Sequence, residues 1–176
     1  FWTKYIFSQD HKIIGIQYGI TSMLFLLFGF SLVMIMRWQL AYPNTPIPFV
    51  GWMFENRMLS PDMYNSFGAM HGTIMIFLGV VPIVVGAFGN YIVPLQIGAP
   101  DMAFPKLNMT SYWSYFVGGI VMLVGFILPG GAANSGWTSY PPLSVVATTG
   151  QTVWLIGMVF LITSSLLGSI NIIVTV

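Results

Sequence analysis

His71 is the only imidazole inside a long uncharged run, and Gly68 and Gly72 flank it four residues apart. Imidazole in hydrocarbon is costly unless it has a partner, so an intramembrane histidine marks a functional position by default. Two readings fit the local pattern. In one, His71 is an axial haem ligand and the glycines let a flat macrocycle approach the helix. In the other, Gly68 and Gly72 form a small-residue packing face and a neutral His71 bonds to a neighbouring helix. A second constellation is Asp101, with Asn90 before it and Asn108 after it. The chain between His71 and Asp101 corresponds to about 45 Å of ideal helix, so the two belong to opposite membrane faces. An acid at a surface mouth with amides behind it suits proton uptake along ordered water. An interfacial aspartate capping a helix near Lys106 is the plainer alternative.

Further polar groups lie on the last apolar run. Ser164 and Asn171 are seven residues apart and share a helix face, with Ser165 beside them. Their hydroxyls either hold a water chain or bond back to a carbonyl one turn earlier. Arg37 either snorkels to the interface or gives its planar fork to an oxygen-rich cofactor group. His11, between Asp10 and Lys12, reads as solvated. The 12 methionines read as filler facing lipid or core, not as copper ligands.

The elements that must position these groups follow from charge and hydropathy. Of 176 residues, 56% are hydrophobic and only 5% charged, where soluble domains carry about 25% charged residues. Uncharged stretches run from Ile13 to Met36, from Met63 to Pro100 and from Leu107 to Val176, each longer than the about 20 apolar residues that a membrane-spanning helix needs. The expected fold is an all-α integral membrane protein forming one transmembrane domain. Its four spans fall at about 13–40, 65–97, 110–128 and 151–176. Tyr42-Pro43 with Pro46 and Pro48 ends the first span. Pro82 and Pro94 lie inside the second, which a membrane helix tolerates where neighbours satisfy the freed carbonyls. An uncharged loop rich in Gly, Ser, Trp, Tyr and Pro, from Pro129 to about Thr148, joins the third span to the fourth. Lys4, Lys12 and Lys106 outnumber Arg37 and Arg57 across the membrane, which orients the N-terminus inside. Trp38, Trp52, Trp113 and Trp137 sit near span ends, as aromatic belts do.

Several classes drop out. A net charge of +1 without a basic cluster gives no footprint for nucleic acid. The absence of cysteine removes disulfides, thiolate metal sites and cysteine nucleophiles. No phosphate-cradling glycine loop, catalytic triad or carboxylate pair is present, and no catalytic residue is assigned. A start without Met and an end inside an apolar run read as a window on a longer protein.

Five segments, taken together, are more specific than any single residue. They are Asp10-His-Lys-Ile-Ile-Gly15, His71-Gly-Thr-Ile-Met-Ile-Phe77, the run from Gly89 through Gly-Ala-Pro-Asp101 to Lys106, Gly136-Trp-Thr-Ser-Tyr-Pro-Pro-Leu143, and Ser164-Ser-Leu-Leu-Gly-Ser-Ile-Asn171. In order and spacing they resemble the N-terminal portion of subunit I of A-type haem–copper terminal oxidases, of the cytochrome c oxidase kind. The resemblance extends over essentially the whole chain.

The resemblance implies a bundle of about twelve helices that reduces oxygen to water and pumps protons. His71 then looks like one axial ligand of a low-spin haem, of a-type. Arg37 and Tyr64 look like contacts to that haem, and Gly136 and Trp137 like loop residues near haem edges or propionates. Asp101 looks like the mouth of the D-type proton channel, Asn90 and Asn108 like its amide constriction, and Tyr18, Ser164, Ser165 and Asn171 like residues along the path. Met70 departs from the alanine common before the haem histidine, and Met109 from the second asparagine that often follows Asn108. Neither departure removes a ligand. The high-spin haem and copper belong to ligands outside this stretch, so the stretch alone cannot complete the reaction. Implied partners are the rest of subunit I, subunits II and III, cytochrome c or a similar donor, and membrane lipid, in a bacterial plasma membrane or the mitochondrial inner membrane. A haem–copper quinol oxidase and a non-enzymatic helical bundle are the competing readings.

Overall fold

Asp10 starts the first long helix, its Oδ1 accepting the Lys12 backbone N–H at 2.8 Å, so one of the N–H groups left orphaned at a helix start is met. In the computed structural model, which describes residues 1–176, the regular structure is helical throughout. Four helices are long and apolar enough to cross a membrane: α1 His11–Ala41, α2 Pro61–Ile97, α3 Pro105–Ile127 and α4 Thr149–Thr175. A short turn at Trp2–Ile6 precedes α1, and others at Gly51–Met53, Glu55–Arg57 and Leu143–Val146 lie in the connections. α2 begins with Pro61 in its first turn and Ser60 as N-cap, Ser60 Oγ accepting the Met63 N–H at 3.2 Å. It ends at Gly98, left-handed at φ 73, a conformation that glycine adopts without side-chain cost.

α1 lies along the whole of α2, and α3 along most of α4; α1 also touches α3. Small residues permit the closest approaches. A Cβ on Gly118 would stand 2.9 Å from the Gly157 carbonyl oxygen, and one on Gly86 would stand 2.6 Å from Tyr18 Cδ1. Without a hydrophobic drive between helices in lipid, such close backbone packing is the main source of association. The shared interior holds Ile14, Phe25, Leu78, Tyr115 and Met122. The opposite face of α1 shows Ile16, Ile20, Leu24 and Leu27, each at least half exposed. These recur at helical spacing and form an apolar stripe suited to hydrocarbon or to further helices.

α2 is not a uniform α-helix. Between α-helical ends at Pro61–Thr73 and Asn90–Ile97 it widens into π-turns at Ile74–Val80 and Pro82–Gly89. Proline also leaves carbonyls of α2 without their helical donors at two points. Pro82 has no N–H for the Leu78 carbonyl four residues back, and Tyr115 of α3 donates to that oxygen at 2.7 Å. Pro94 likewise leaves the Asn90 carbonyl without its helical donor, and His11 of α1 sits 2.8 Å from that oxygen. Both freed carbonyls are thus met by side chains from neighbouring helices, which is how proline becomes tolerable inside a span. The sequence expectation of a solvated His11 is therefore corrected: the side chain is 1% exposed, drawn inward by a carbonyl that needs a donor.

Candidate functional site

His71 lies in the last α-helical turn of α2 before the first π-turn. Its Nδ1 is 2.8 Å from the Gly29 carbonyl oxygen of α1. A carbonyl only accepts, so Nδ1 carries the proton and Nε2 presents its lone pair. That is the arrangement of a metal-ligating imidazole, in which a backbone carbonyl fixes both tautomer and ring orientation. Beside this contact position 29 is a glycine, where a Cβ would stand close, 3.0 Å from Met75 Sδ and 3.1 Å from Ile74 Cγ2. On the same side of α2, a Cβ on Gly68 would meet only the flexible end of Met36, at 3.3 Å. One on Gly72 would stand 3.8 Å from Trp137 Cδ1.

The structure brings the α3–α4 loop back onto this region. Trp137 also lies against Phe77, ring centroids 6.0 Å apart, and Gly136 turns the chain at φ 75. Tyr64, half-buried, precedes His71 by two helical turns, on the same face. Arg37 is exposed and follows Met36, the residue facing Gly68, so it stands toward the Tyr64 end of α2.

The second group of residues forms polar layers through the bundle interior. Near the chain's Asp101 end, Asn90 is buried: its Nδ2 donates to the Gly86 carbonyl at 2.7 Å, while its Oδ1 has no partner within the chain. Asn108 is fully buried with neither amide atom paired, and His11 Nε2 is equally unpaired. Buried polar atoms of this kind are normally satisfied by ordered water. One layer further in, Tyr18, Ser111 and Ser164 join α1, α3 and α4. Ser111 Oγ donates to the Ser164 carbonyl at 2.8 Å and Ser164 Oγ to the Ser111 carbonyl at 2.7 Å. With both serine protons committed, Tyr18 donates to Ser111 Oγ at 2.9 Å. A third layer has Tyr115 accepting from Ser22 and Thr21 paired with Tyr112, each at 3.0 Å. A cavity of about 430 Å³ runs beside these layers, with Tyr18, Asn90, Ser111, Ser164 and Ser165 among its lining.

The candidate residues are not all alike. Ser164 bonds across to α3 and not back along its own helix, whereas Ser165 is exposed and reaches only the cavity wall. Asn171 is paired at both amide atoms: its Oδ1 accepts the Phe104 N–H at 2.9 Å and its Nδ2 donates to the Phe104 carbonyl at 3.2 Å. It ties the start of α3 to the end of α4. Asp101 is half-buried, its Oδ1 accepting the Met102 N–H at 2.7 Å. It caps no helix, since Phe104 is the N-cap of α3, and it bonds to none of the three asparagines. Ser111, Ser22 and Tyr115 belong to the layers without having been singled out in the sequence, and His11 belongs to them although its charged neighbours read as placing it in solvent. The one available signal was the offset of four between Leu78 and Pro82 and between Asn90 and Pro94, which announces carbonyls in need of donors.

Comparison with known proteins agrees with this architecture. The family described as Cytochrome C and Quinol oxidase polypeptide I matches residues 13–176. The chain is 47% identical, over 99% of its length, to cytochrome c oxidase subunit 1 of Thermostichus vulcanus. It is 44% identical, again over 99%, to the protein of that name from Synechocystis. It is 38% identical over 99% to the alternative cytochrome c oxidase subunit 1 of Bradyrhizobium diazoefficiens. It spans 30% of the length of the first two relatives and 29% of the third. The chain belongs to the cytochrome c and quinol oxidase polypeptide I family.

Proposed function

We propose that this chain forms part of the catalytic subunit of a respiratory terminal oxidase, supplying one axial ligand of a low-spin haem and the uptake end of a proton path. The oxidase reduces oxygen to water, pumps protons and takes electrons from cytochrome c, in keeping with the names of its relatives. It works with the rest of subunit I, with subunits II and III and with membrane lipid. It sits in a bacterial plasma membrane with the N-terminus inside. The high-spin haem and the copper are held by ligands outside this stretch.

The observation that carries the haem assignment is the His71 Nδ1 contact to Gly29 at 2.8 Å, which leaves Nε2 as the ligating atom. Gly68 and Gly72 keep the flanking surface low, and Trp137 stands beside it. Arg37 and Tyr64 would meet the polar substituents of the group. When bound, a low-spin haem supplies reversible one-electron transfer. Around it the chain's own task is to keep Nε2 correctly aimed, which the Gly29 carbonyl does by accepting from Nδ1–H and so fixing tautomer and ring orientation.

On the proton side, Asp101 gathers protons at the mouth. The unpaired atoms of Asn90, Asn108 and His11 hold water behind it, and the Tyr18, Ser111 and Ser164 hydroxyls continue the polar lining. Asn171, bonded at both amide ends to Phe104, keeps the mouth in shape. The test is haem content. His71→Ala in the assembled complex should lose the low-spin haem, about half of the extractable haem. Unchanged haem content with unchanged low-spin character would remove the assignment.

A further inference from the structure

The loop between α3 and α4 is held by one side chain that neither site uses. Gln151, in the first turn of α4, is 4% exposed. Its Oε1 accepts from Ser135 Oγ, and its Nε2 donates to Ser139 Oγ at 2.8 Å. The amide thereby bridges the two sides of a turn whose middle is Gly136 and Trp137. The turn is closed by the Ser139 N–H donating to the Gly136 carbonyl at 3.2 Å. Gly136 is left-handed at φ 75 and Ser139 at φ 50. A serine in that region is strained and persists only where its surroundings hold it; the Gln151 bond to its hydroxyl does so.

The base of the loop is fixed independently. Ser66 of α2 donates to the Ala132 carbonyl at 3.0 Å, and Gly150 lets α4 rest against the backbone of Gly131 and Ala132. What remains to be placed is the turn carrying Trp137. Its indole lies 3.8 Å from where a Gly72 Cβ would stand and 6.0 Å, centroid to centroid, from Phe77. Gly72 is the residue next to His71.

We infer that Gln151 is a positioning residue, which by holding Ser135 and Ser139 fixes the Trp137 indole against Gly72 and Phe77, one helix position from His71, and so sets the surroundings of the haem assigned to His71. This inference rests on that haem assignment. An indole displaced by loss of the bridge changes the polarity and solvent access of the neighbouring site, and these are what tune a metal centre's potential.

The experiment uses the purified complex containing the full-length subunit, poised at a fixed ambient potential while the low-spin haem is read optically. Gln151→Leu keeps the side chain's bulk and removes both bonds. It should change the ferrous-to-ferric ratio about tenfold, which for one electron is about 59 mV. Ser139→Ala, which removes one bond and leaves α4 untouched, should shift the ratio in the same direction by less. In a double-mutant cycle, Gln151→Leu should add nothing to Trp137→Phe, because the first acts through the second. An unshifted ratio in Gln151→Leu, or additive shifts with Trp137→Phe, overturns the positioning role. If Gln151→Leu fails to assemble, Ser139→Ala and its cycle with Trp137→Phe decide in the same way. Retention of the low-spin haem by His71→Ala would instead remove the haem assignment itself, and the two failures are thereby distinguished.

Discussion

His71 and His11 each donate Nδ1–H to a helix carbonyl at 2.8 Å, from Gly29 and Asn90 respectively, yet their second nitrogens face different surroundings. His71 is half-buried with Nε2 free, as a ligand must be, while His11 Nε2 is buried and unpaired among buried amides. The identity of His71 as the one intramembrane histidine was legible in the sequence, because charge and polarity are scarce there. The placement of His11 was not: its charged neighbours pointed outward, and only the three-dimensional register of α1 against Pro94 shows that a carbonyl awaits it. Asn108 is the residue whose cost is plainest, with no partner for either amide atom. Replacing it with leucine removes a polar group that only water can satisfy, so Asn108→Leu should leave stability within about 1 kcal/mol of the native value. The same change should slow proton uptake at least about tenfold, because the apolar side chain holds no water. Thermal denaturation and stopped-flow proton uptake on one preparation check both halves.

At the scale of the elements, α2 is the one helix whose local chemistry and packing are inseparable. Three long uncharged runs were visible from charge spacing, the last of them divided into two spans by the Gly-, Ser- and Pro-rich loop, and the prolines inside the second span were equally visible. The π-turns at Ile74–Val80 and Pro82–Gly89 were not, since helical periodicity in sequence does not reveal which neighbour will satisfy a freed carbonyl. Tyr115 is that neighbour for Leu78, and this yields a compensation test. Tyr115→Phe should destabilise the bundle by about 0.6 kcal/mol, the average for interhelical hydrogen bonds in membranes, and by no more than about 1.7 kcal/mol, their upper end. In a Pro82→Ala background the new N–H can serve the Leu78 carbonyl, so the loss should shrink to the part owed to Ser22. Denaturation midpoints of the two single variants and the double variant measure the coupling; additive losses would break the link between Pro82 and Tyr115.

Across the whole molecule, His71 and Asp101, proposed for a haem and for proton uptake, sit at opposite regions of α2, with the polar layers between α1, α3 and α4 lying between them. The loop of residues 129–148 read in sequence as an uncharged connection. Its return onto α2 depends on Ser66 and Gln151, and no local pattern announces such bonds between distant segments. The separation of the two ends makes a further prediction. Asp101→Asn removes the acid without touching the His71 region, so turnover and proton uptake should fall by at least about tenfold while the haem spectra stay as they are. Oxygen consumption and proton release from proteoliposomes check the first part, and optical spectra the second. Normal turnover with normal pumping would take Asp101 out of the path.

The most direct test of the central assignment compares reduced-minus-oxidised optical spectra of the intact complex, with and without carbon monoxide, for the native subunit and His71→Ala side by side. The assignment of His71 to a low-spin haem predicts that the native complex shows a carbon monoxide-insensitive haem band and that the variant lacks it. Identical spectra from the two proteins, with that band intact, would contradict it and return His71 to helix packing.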